Sequence, residues 1–256
     1  MSQEEKWHEL KGRTVLITGA AGQLGTALAR GFQESGARVF GFDLSSTKDS
    51  DLFDGFATGD ITKKSDVLTA FEQLAPQEGT FDILINNAGI TTAAPFAERT
   101  EKDFDDVYAV NVKGSFFCAQ EFLKRYERSV RENGAIVNIG SIYGVMAPDF
   151  RIYTDYGVVT PEVYGITKAG MLQMTRYLAA LYANKGLRVN SVSPGGIYNR
   201  CNPQGDDFIE RYSQRVPMGR MAQVEEIVPV VVFLSGKGAS YITGQNLMVD
   251  GGLNIW

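Results

Sequence analysis

Residues 14–25 read Thr-Val-Leu-Ile-Thr-Gly-Ala-Ala-Gly-Gln-Leu-Gly, an apolar, β-branched run that stops at Gly19 and passes two further glycines. A buried strand over residues 13–18 is expected from that run. Leu24, Ala27, Leu28 and Phe32 then recur at helical spacing, and Gly36 closes a helix over residues 24–34. Small residues at such a junction let the backbone approach a pyrophosphate. The helix N-terminus adds free N–H groups and a partial positive charge. Taken alone, the same glycines are equally a tight turn before a helix.

Working outward, residues 38–42 form a second strand-like run that closes on Asp43, 18 positions after Gly25. That is about the distance at which an acidic residue accepts hydrogen bonds from an adenosine ribose. A carboxylate there repels a 2′-phosphate, so NAD is favoured over NADP. Further strands are expected at 56–59, 81–85, 135–139, 187–192 and 247–249, with helices at 64–74, 101–131 (in one or two pieces), 163–184 and 222–234. Pro229 would at most kink the last of these. Residues 44–54 are polar and read as loop with one turn. Strand–helix alternation without a repeat or linker implies one doubly wound α/β domain over residues 1–256. Its sheet has about seven mainly parallel strands, with helices on both faces.

Composition removes whole chemistries. The chain has 256 residues, a formal charge of −5, 44% hydrophobic and 21% charged residues, which is the profile of a folded globule. The single histidine is His8, and the two cysteines, Cys118 and Cys201, stand 83 positions apart. Zinc sites, a Cys–His pair and, unless the N-terminus folds back, a Ser-His-Asp triad are thereby excluded. Catalysis is left to Ser, Tyr, Lys, Asn, carboxylates or a bound cofactor. No stretch concentrates Lys and Arg, so nucleic acid is not an expected partner. The longest apolar run, 227–234, is too short to cross a bilayer, and residues 1–10 lack the build of a signal peptide. Two distant cysteines without an export signal point to the reducing cytoplasm.

Tyr164 and Lys168 are four apart in an expected helix, so they share a face. A free phenol, with a pKa of about 10, is a poor base at neutral pH. A neighbouring ammonium and a nicotinamide cation would both favour the phenolate. Lowering that pKa by three units takes roughly 4 kcal/mol of differential stabilisation. Tyr164 could then accept a hydroxyl proton as hydride leaves the carbon, or return it in reduction. Such pairs also occur as ordinary helix-surface neighbours.

Several motifs follow one another in order: Gly19 to Gly25, Asp60-Ile61, Asn86-Asn87-Ala88-Gly89, Asn111, Ser141, Tyr164-Gly165-Ile166-Thr167-Lys168, residues 188–195 and Asp250-Gly251-Gly252. In order and spacing the chain resembles the short-chain dehydrogenase/reductase family, in its compact branch, from Gly12 to Gly252. The resemblance implies a Rossmann-type fold and NAD- or NADP-dependent oxidoreduction of a hydroxyl or carbonyl carbon. It assigns Ser141 to hold the reacting oxygen and Lys168 to clamp the nicotinamide ribose. Asn111 would hold a water for proton relay. The turn Gly19, Gly22, Gln23, Leu24 and Gly25 would carry the pyrophosphate. Asp60 and Ile61 would bracket the adenine, Asn87, Ala88 and Gly89 the adenosine ribose, and Pro194, Gly195 and Ile197 the nicotinamide amide. A homo-oligomer, tetramer or dimer, is also implied, with Phe116, Phe117 and residues 253–256 as candidate contacts.

Departures from the family pattern bear on specificity. Gln23 stands where the branch usually has its second glycine, and Asn199 where it often has a threonine. The segment 44–54 is short for the usual helix. Ser141 and Tyr164 lie 23 residues apart, farther than in typical relatives. The extra residues, about 149–161, include Arg151, Tyr153, Asp155 and Tyr156. With Tyr143 and Tyr198 they would line a polyhydroxylated or anionic substrate, from loops at about 142–162 and 197–217; the same tyrosines could equally be subunit or surface contacts. A weaker resemblance to bacterial surface-sugar and flagellin-modification dehydrogenases would make that substrate a sugar derivative. Alternative functions are nucleotide-sugar epimerase or dehydratase chemistry, and a non-catalytic NAD-sensing protein.

Overall fold

All five residues of the first strand, Thr14–Thr18 (β1), are buried, because β1 is paired on both edges and covered on both faces. A parallel strand in that position reads as one continuous apolar run. The computed structural model describes residues 10–75, 79–93, 95–129, 132–153, 159–200 and 202–255. The other strands are Arg38–Asp43 (β2), Gly55–Thr58 (β3), Ile83–Asn86 (β4), Gly134–Ile139 (β5), Leu187–Pro194 (β6) and Asn246–Val249 (β7). They form one seven-stranded sheet in the order β3-β2-β1-β4-β5-β6-β7, with every pair parallel. Strand order reverses between β1 and β4. A crevice therefore opens beyond the carboxyl ends of those two strands, the place where this architecture binds ligands.

The helices are Gln23–Glu34 (α1), Lys64–Leu74 (α2), Glu101–Tyr108 (α3), Ser115–Tyr126 (α4), Glu162–Tyr182 (α5), Asp206–Arg215 (α6) and Val228–Ser235 (α7). Successive residues of β1 serve opposite faces. Leu16 packs with Phe40, Phe71 and Phe122, whereas Val15 and Ile17 pack with Leu28, Phe32 and Val231.

Three segments differ from expectation, and one, residues 44–54, agrees with it. The helix expected over 222–234 is a 3₁₀ turn, Val224–Glu226, followed by α7. Pro229 is the second residue of α7, where no N–H is needed, so it starts a helix instead of kinking one. The expected helix 101–131 is α3 and α4 joined by a π-helical turn, Ala109–Gly114. A side chain at Gly114 would come within 2.6 Å of Ile61, so this turn is pressed against the segment after β3. Residues 44–54 contain a single turn, Ser50–Leu52. α6 was not anticipated at all. Phe117 packs against the core, while Phe116 is 46% exposed. Among the described residues no helix is long and apolar enough to cross a membrane.

Candidate active site

The turns after β1 and β4 are locked together. Gly19 has φ +64°, and a Cβ there would lie 2.7 Å from Ala88 Cα. Thr18 Oγ1 accepts from the backbone N–H of Asn87 and of Ala88, each at 3.1 Å. Asn87 Nδ2 donates to the carbonyls of Thr18 and Gly19, each at 3.0 Å. Thr18 is thus a site residue that the motif reading passed over. A Cβ on Gly25 would sit 2.1 Å from Gly19 O, which fixes how closely α1 enters the turn. Gly22 is the N-cap of α1, and no side chain caps the helix, leaving its first N–H groups for an anion.

Asp43 lies at the mouth of this turn. Its Oδ2 accepts from Ala21 N and its Oδ1 from Ser45 N, both at 3.0 Å. A cavity of about 440 Å³ runs from Gly19, Gly22, Leu24 and Gly25 past Asp43, Asp60 and Ile61 to Asn87, Ala88 and Gly89. Among the described residues no Lys or Arg lines it. Asp60 lines the cavity, with its Oδ1 accepting from the backbone N–H and hydroxyl of Thr62. One expected role changes. Gln23 does not line the cavity. Its Nε2 donates to Tyr198 O at 2.9 Å and its Oε1 accepts from Arg200 N at 3.0 Å, so it straps the glycine turn to the 197–204 loop.

The catalytic candidates converge beyond β5. Ser141, buried, follows that strand, and its hydroxyl is hydrogen-bonded to the Tyr164 phenol on α5. Lys168, also buried, donates from Nζ to Ile139 O at 2.7 Å and stands 5.5 Å from the Tyr164 ring centre. Asn111 lies in the π turn. A Cβ on Gly89 would be 3.3 Å from Asn111 Oδ1 and 3.5 Å from Lys168 Nζ, so Gly89 is the space in which the two approach. The Asn111 amide is fully engaged: Oδ1 accepts from Ile90 N, and Nδ2 donates to Ile90 O and Thr167 Oγ1. Thr167 in turn donates to Tyr164 O at 2.8 Å, so its hydroxyl ties Asn111 to the first turn of α5.

In the nucleotide-free chain, burial works against both charged forms. Burial pushes the Tyr164 phenol above its ordinary value, and only the Ser141 hydrogen bond opposes this. Burial also pushes the Lys168 amine down, to about 8, so at neutral pH it is still largely an ammonium. An unfolded lysine titrates near 10.4. Between about pH 8 and 10.4 the unfolded chain binds more protons at this site, so the group makes stability rise with pH across that window. Wild type should therefore gain about 3 kcal/mol on Lys168→Met from pH 7.5 to 10.5, read from denaturant midpoints. A pH-independent difference would contradict the buried amine.

A second cavity, about 460 Å³, adjoins the first through Leu24, Asn87, Gly89 and Ile90. Ser141, Tyr143, Tyr153, Tyr164, Lys168, Pro194, Gly195 and Ile197 line it, joined by the unanticipated Thr160, Gln204, Phe208, Tyr212 and Met221. Gly195 donates to Val249 O at 2.9 Å, and a Cβ there would meet Asp250 Cα at 2.9 Å. Gln204 closes the loop by donating to Ile197 O and accepting from Asn199 N. Arg151 is not at the site. Its side chain is 74% exposed and pairs with Asp149 through Nε and Nη2, each at 2.8 Å. Tyr198 does not line the cavity either; it packs against the hydrophobic cluster that contains Ile142, Tyr212 and Met221. Asp155 and Tyr156 lie outside the described residues. Among the described residues no cluster of metal-ligating side chains occurs.

A family model described as enoyl-(acyl carrier protein) reductase matches residues 19–254. A short-chain dehydrogenase of Leptospira borgpetersenii, solved with bound NAD+, is 38% identical, with a TM-score of 0.89 over 99% of this chain and 97% of that one. A gluconate 5-dehydrogenase of Burkholderia cenocepacia, solved with NADP and tartrate, is 29% identical, with a TM-score of 0.87 over 99% of this chain and 100% of its own. D-threitol dehydrogenase of Mycolicibacterium smegmatis is 31% identical over 96% of this chain and 94% of its own length.

Proposed function

The chain belongs to the short-chain dehydrogenase/reductase family of oxidoreductases, and from that premise we propose an NAD-dependent dehydrogenase of small polyhydroxylated molecules with Tyr164 as its general acid–base. The observation that carries this reading is the convergence of Ser141, Tyr164 and Lys168 on a cavity that adjoins the glycine-turn groove. The groove fits a dinucleotide. The uncapped start of α1 suits a pyrophosphate, and the Asp43 carboxylate suits two ribose hydroxyls. When bound, the nicotinamide supplies the hydride acceptor and, oxidised, a positive charge beside the phenol.

The chain's own residues do the rest. Ser141 hydrogen-bonds the substrate oxygen, and Tyr164 takes its proton as the carbon gives up hydride. Burial works against the phenolate in the nucleotide-free protein, which makes proton abstraction depend on the oxidised cofactor. Lys168 offers donors to a ribose from a wall it shares with Tyr164. The bound NAD+ of the Leptospira relative, and the sugar acid and polyol in the names of the other two, support cofactor type and substrate class. Self-association has support in the exposed Phe104, Tyr108 and Phe116 of the α3–α4 region and Tyr177 and Leu181 of α5.

NAD is preferred over NADP on this reading because Asp43 has no basic neighbour in the cavity wall to receive a phosphate. Asp43→Asn keeps an acceptor for Ala21 N and removes the charge. Calorimetry should show the NAD-to-NADP affinity ratio falling at least tenfold, a change of about 1.4 kcal/mol. An unchanged ratio would place discrimination elsewhere. The function itself is tested by following NADH formation across sugars and polyols. Nucleotide retained without net reduction would favour epimerase-type chemistry, and nucleotide binding with no turnover of any substrate would favour a sensor.

A further inference from the structure

We propose that the cleft beside Tyr164 selects neutral polyols and sugars over their acid derivatives, through a row of hydroxyls supplied by Tyr143, Tyr153 and Thr160. The inference rests on the dehydrogenase reading and narrows its substrate.

Tyr143 Oη lies 3.5 Å from Tyr153 Oη, which lies 2.7 Å from Thr160 Oγ1, and all three residues line the cavity that holds Ser141 and Tyr164. The backbone of its first member is anchored at the catalytic serine, where Tyr143 N donates to Ser141 Oγ at 3.2 Å. Its middle member is held by packing: the Tyr153 ring meets Phe208 at 5.6 Å, and Phe208 stacks on Tyr212 at 5.8 Å. Three hydroxyls joined by two hydrogen bonds keep one O–H donor and several lone pairs for a ligand. A substrate hydroxyl, which both donates and accepts, can use both. A carboxylate only accepts, so it leaves the lone pairs unpartnered. Burial holds the Tyr143 phenol well above its ordinary range, and its O–H persists at physiological pH.

Charge points the same way. Among the described residues Lys168 is the sole cationic side chain in the wall of this cavity, and one of its donors is taken by Ile139 O. The arginines on the surrounding loops are already paired: Arg151 and Arg215 with Asp149, Arg200 with Glu225. Away from Lys168 and the nicotinamide, a substrate carboxylate would lose its water without meeting a cationic side chain among the described residues of the wall, whereas neutral hydroxyls would exchange water for the hydroxyl row.

The test uses matched pairs, threitol against threonate and glucose against gluconate, each at saturating NAD with the full-length protein. The neutral member of at least one pair should show kcat/KM tenfold or more above its acid. Tyr153→Phe and Thr160→Val each remove one hydroxyl at nearly constant volume. Each should raise KM for the neutral substrate about five- to tenfold, with kcat within threefold and affinity for NADH unchanged. Binding of the polyol to the NADH complex, read by calorimetry, should weaken in the same ratio. If Tyr153→Phe fails to fold, Thr160→Val carries the test alone. Acids preferred, neither pair turned over despite NAD binding, or an unmoved KM in the folded variants would overturn the selectivity. Absence of any nicotinamide nucleotide binding would instead sink the dehydrogenase reading beneath it.

Discussion

Tyr164→Phe should lower turnover by about 10²–10⁴-fold while leaving NAD affinity within twofold of wild type. The phenol is the one titratable hydroxyl hydrogen-bonded to Ser141 in the cleft. Removing it deletes the proton acceptor and leaves the glycine turn, Asp43 and the β4 turn untouched. The two readouts separate catalysis from binding. A parallel loss of nucleotide affinity would mean that the ring supports the cofactor more than the chemistry. Retained turnover would mean that another group takes the proton. Because burial raises the phenol's pKa in the nucleotide-free protein, rate measurements on wild type should show activity increasing with pH until Tyr164 is ionised in the oxidised-cofactor complex.

Gly25→Ala should reduce both stability and nucleotide affinity, although the change adds only a methyl group. Its Cβ would lie 2.1 Å from Gly19 O, 2.8 Å from Ala20 Cα and 2.9 Å from Ala20 C, all backbone atoms of the same turn. None can move like the end of a side chain, so α1 must tilt away or the turn must open. Overpacking of this kind costs about 1–3 kcal/mol. At about 2–4 °C per kcal/mol, a measurable fall in Tm follows. Affinity for NAD should fall tenfold or more, because the displaced N–H groups are those offered to the pyrophosphate. Gly79→Ala is the control. That glycine has φ +80° but open space around its Cβ position, so it tests backbone strain away from the site. Equal nucleotide affinity for both variants would refute the close-approach argument.

The number of strands and their parallel class were legible because each strand announces itself in a local pattern. β1, the middle of β2 and most of β5 are buried and read as apolar runs, Val15 to Ile17, Val39 to Phe42 and Ala135 to Val137. The bounds of α2 agree with its apolar spacing at Val67, Ala70, Phe71 and Leu74. α6 left a weaker trace. It is mostly polar, with Tyr212 its one buried residue, and its role is to carry Phe208 and Tyr212 to the cleft. Pro229 was misread because a proline inside an apolar run looks like a kink until the start of the helix is known.

At the site, Tyr164 and Lys168 were legible because four residues on a helix fix a shared face. Asp43 was legible because strand ends and ribose-binding carboxylates fall at a regular distance from the turn. Arg151 could have been placed from sequence: Asp149, two positions earlier, accepts from both its backbone and its guanidinium. Gln23 could not, since its partner Tyr198 is 175 residues away. The upward push on Tyr164 was also hidden, because the extent of burial is a property of the fold. A phenol and an amine at helical spacing suggest mutual stabilisation, yet in the folded chain each is moved toward its neutral form.

The most direct test follows the hydrogen itself. Threitol carrying deuterium on its carbinol carbons, incubated with the protein and NAD, should place deuterium on C4 of the nicotinamide, seen by NMR as one stereoisomer of NADH. Tyr164→Phe should place almost none there in the same time. NADH formed with only protium at that carbon, or labelled equally well by the Tyr164 variant, would contradict hydride transfer governed by this phenol.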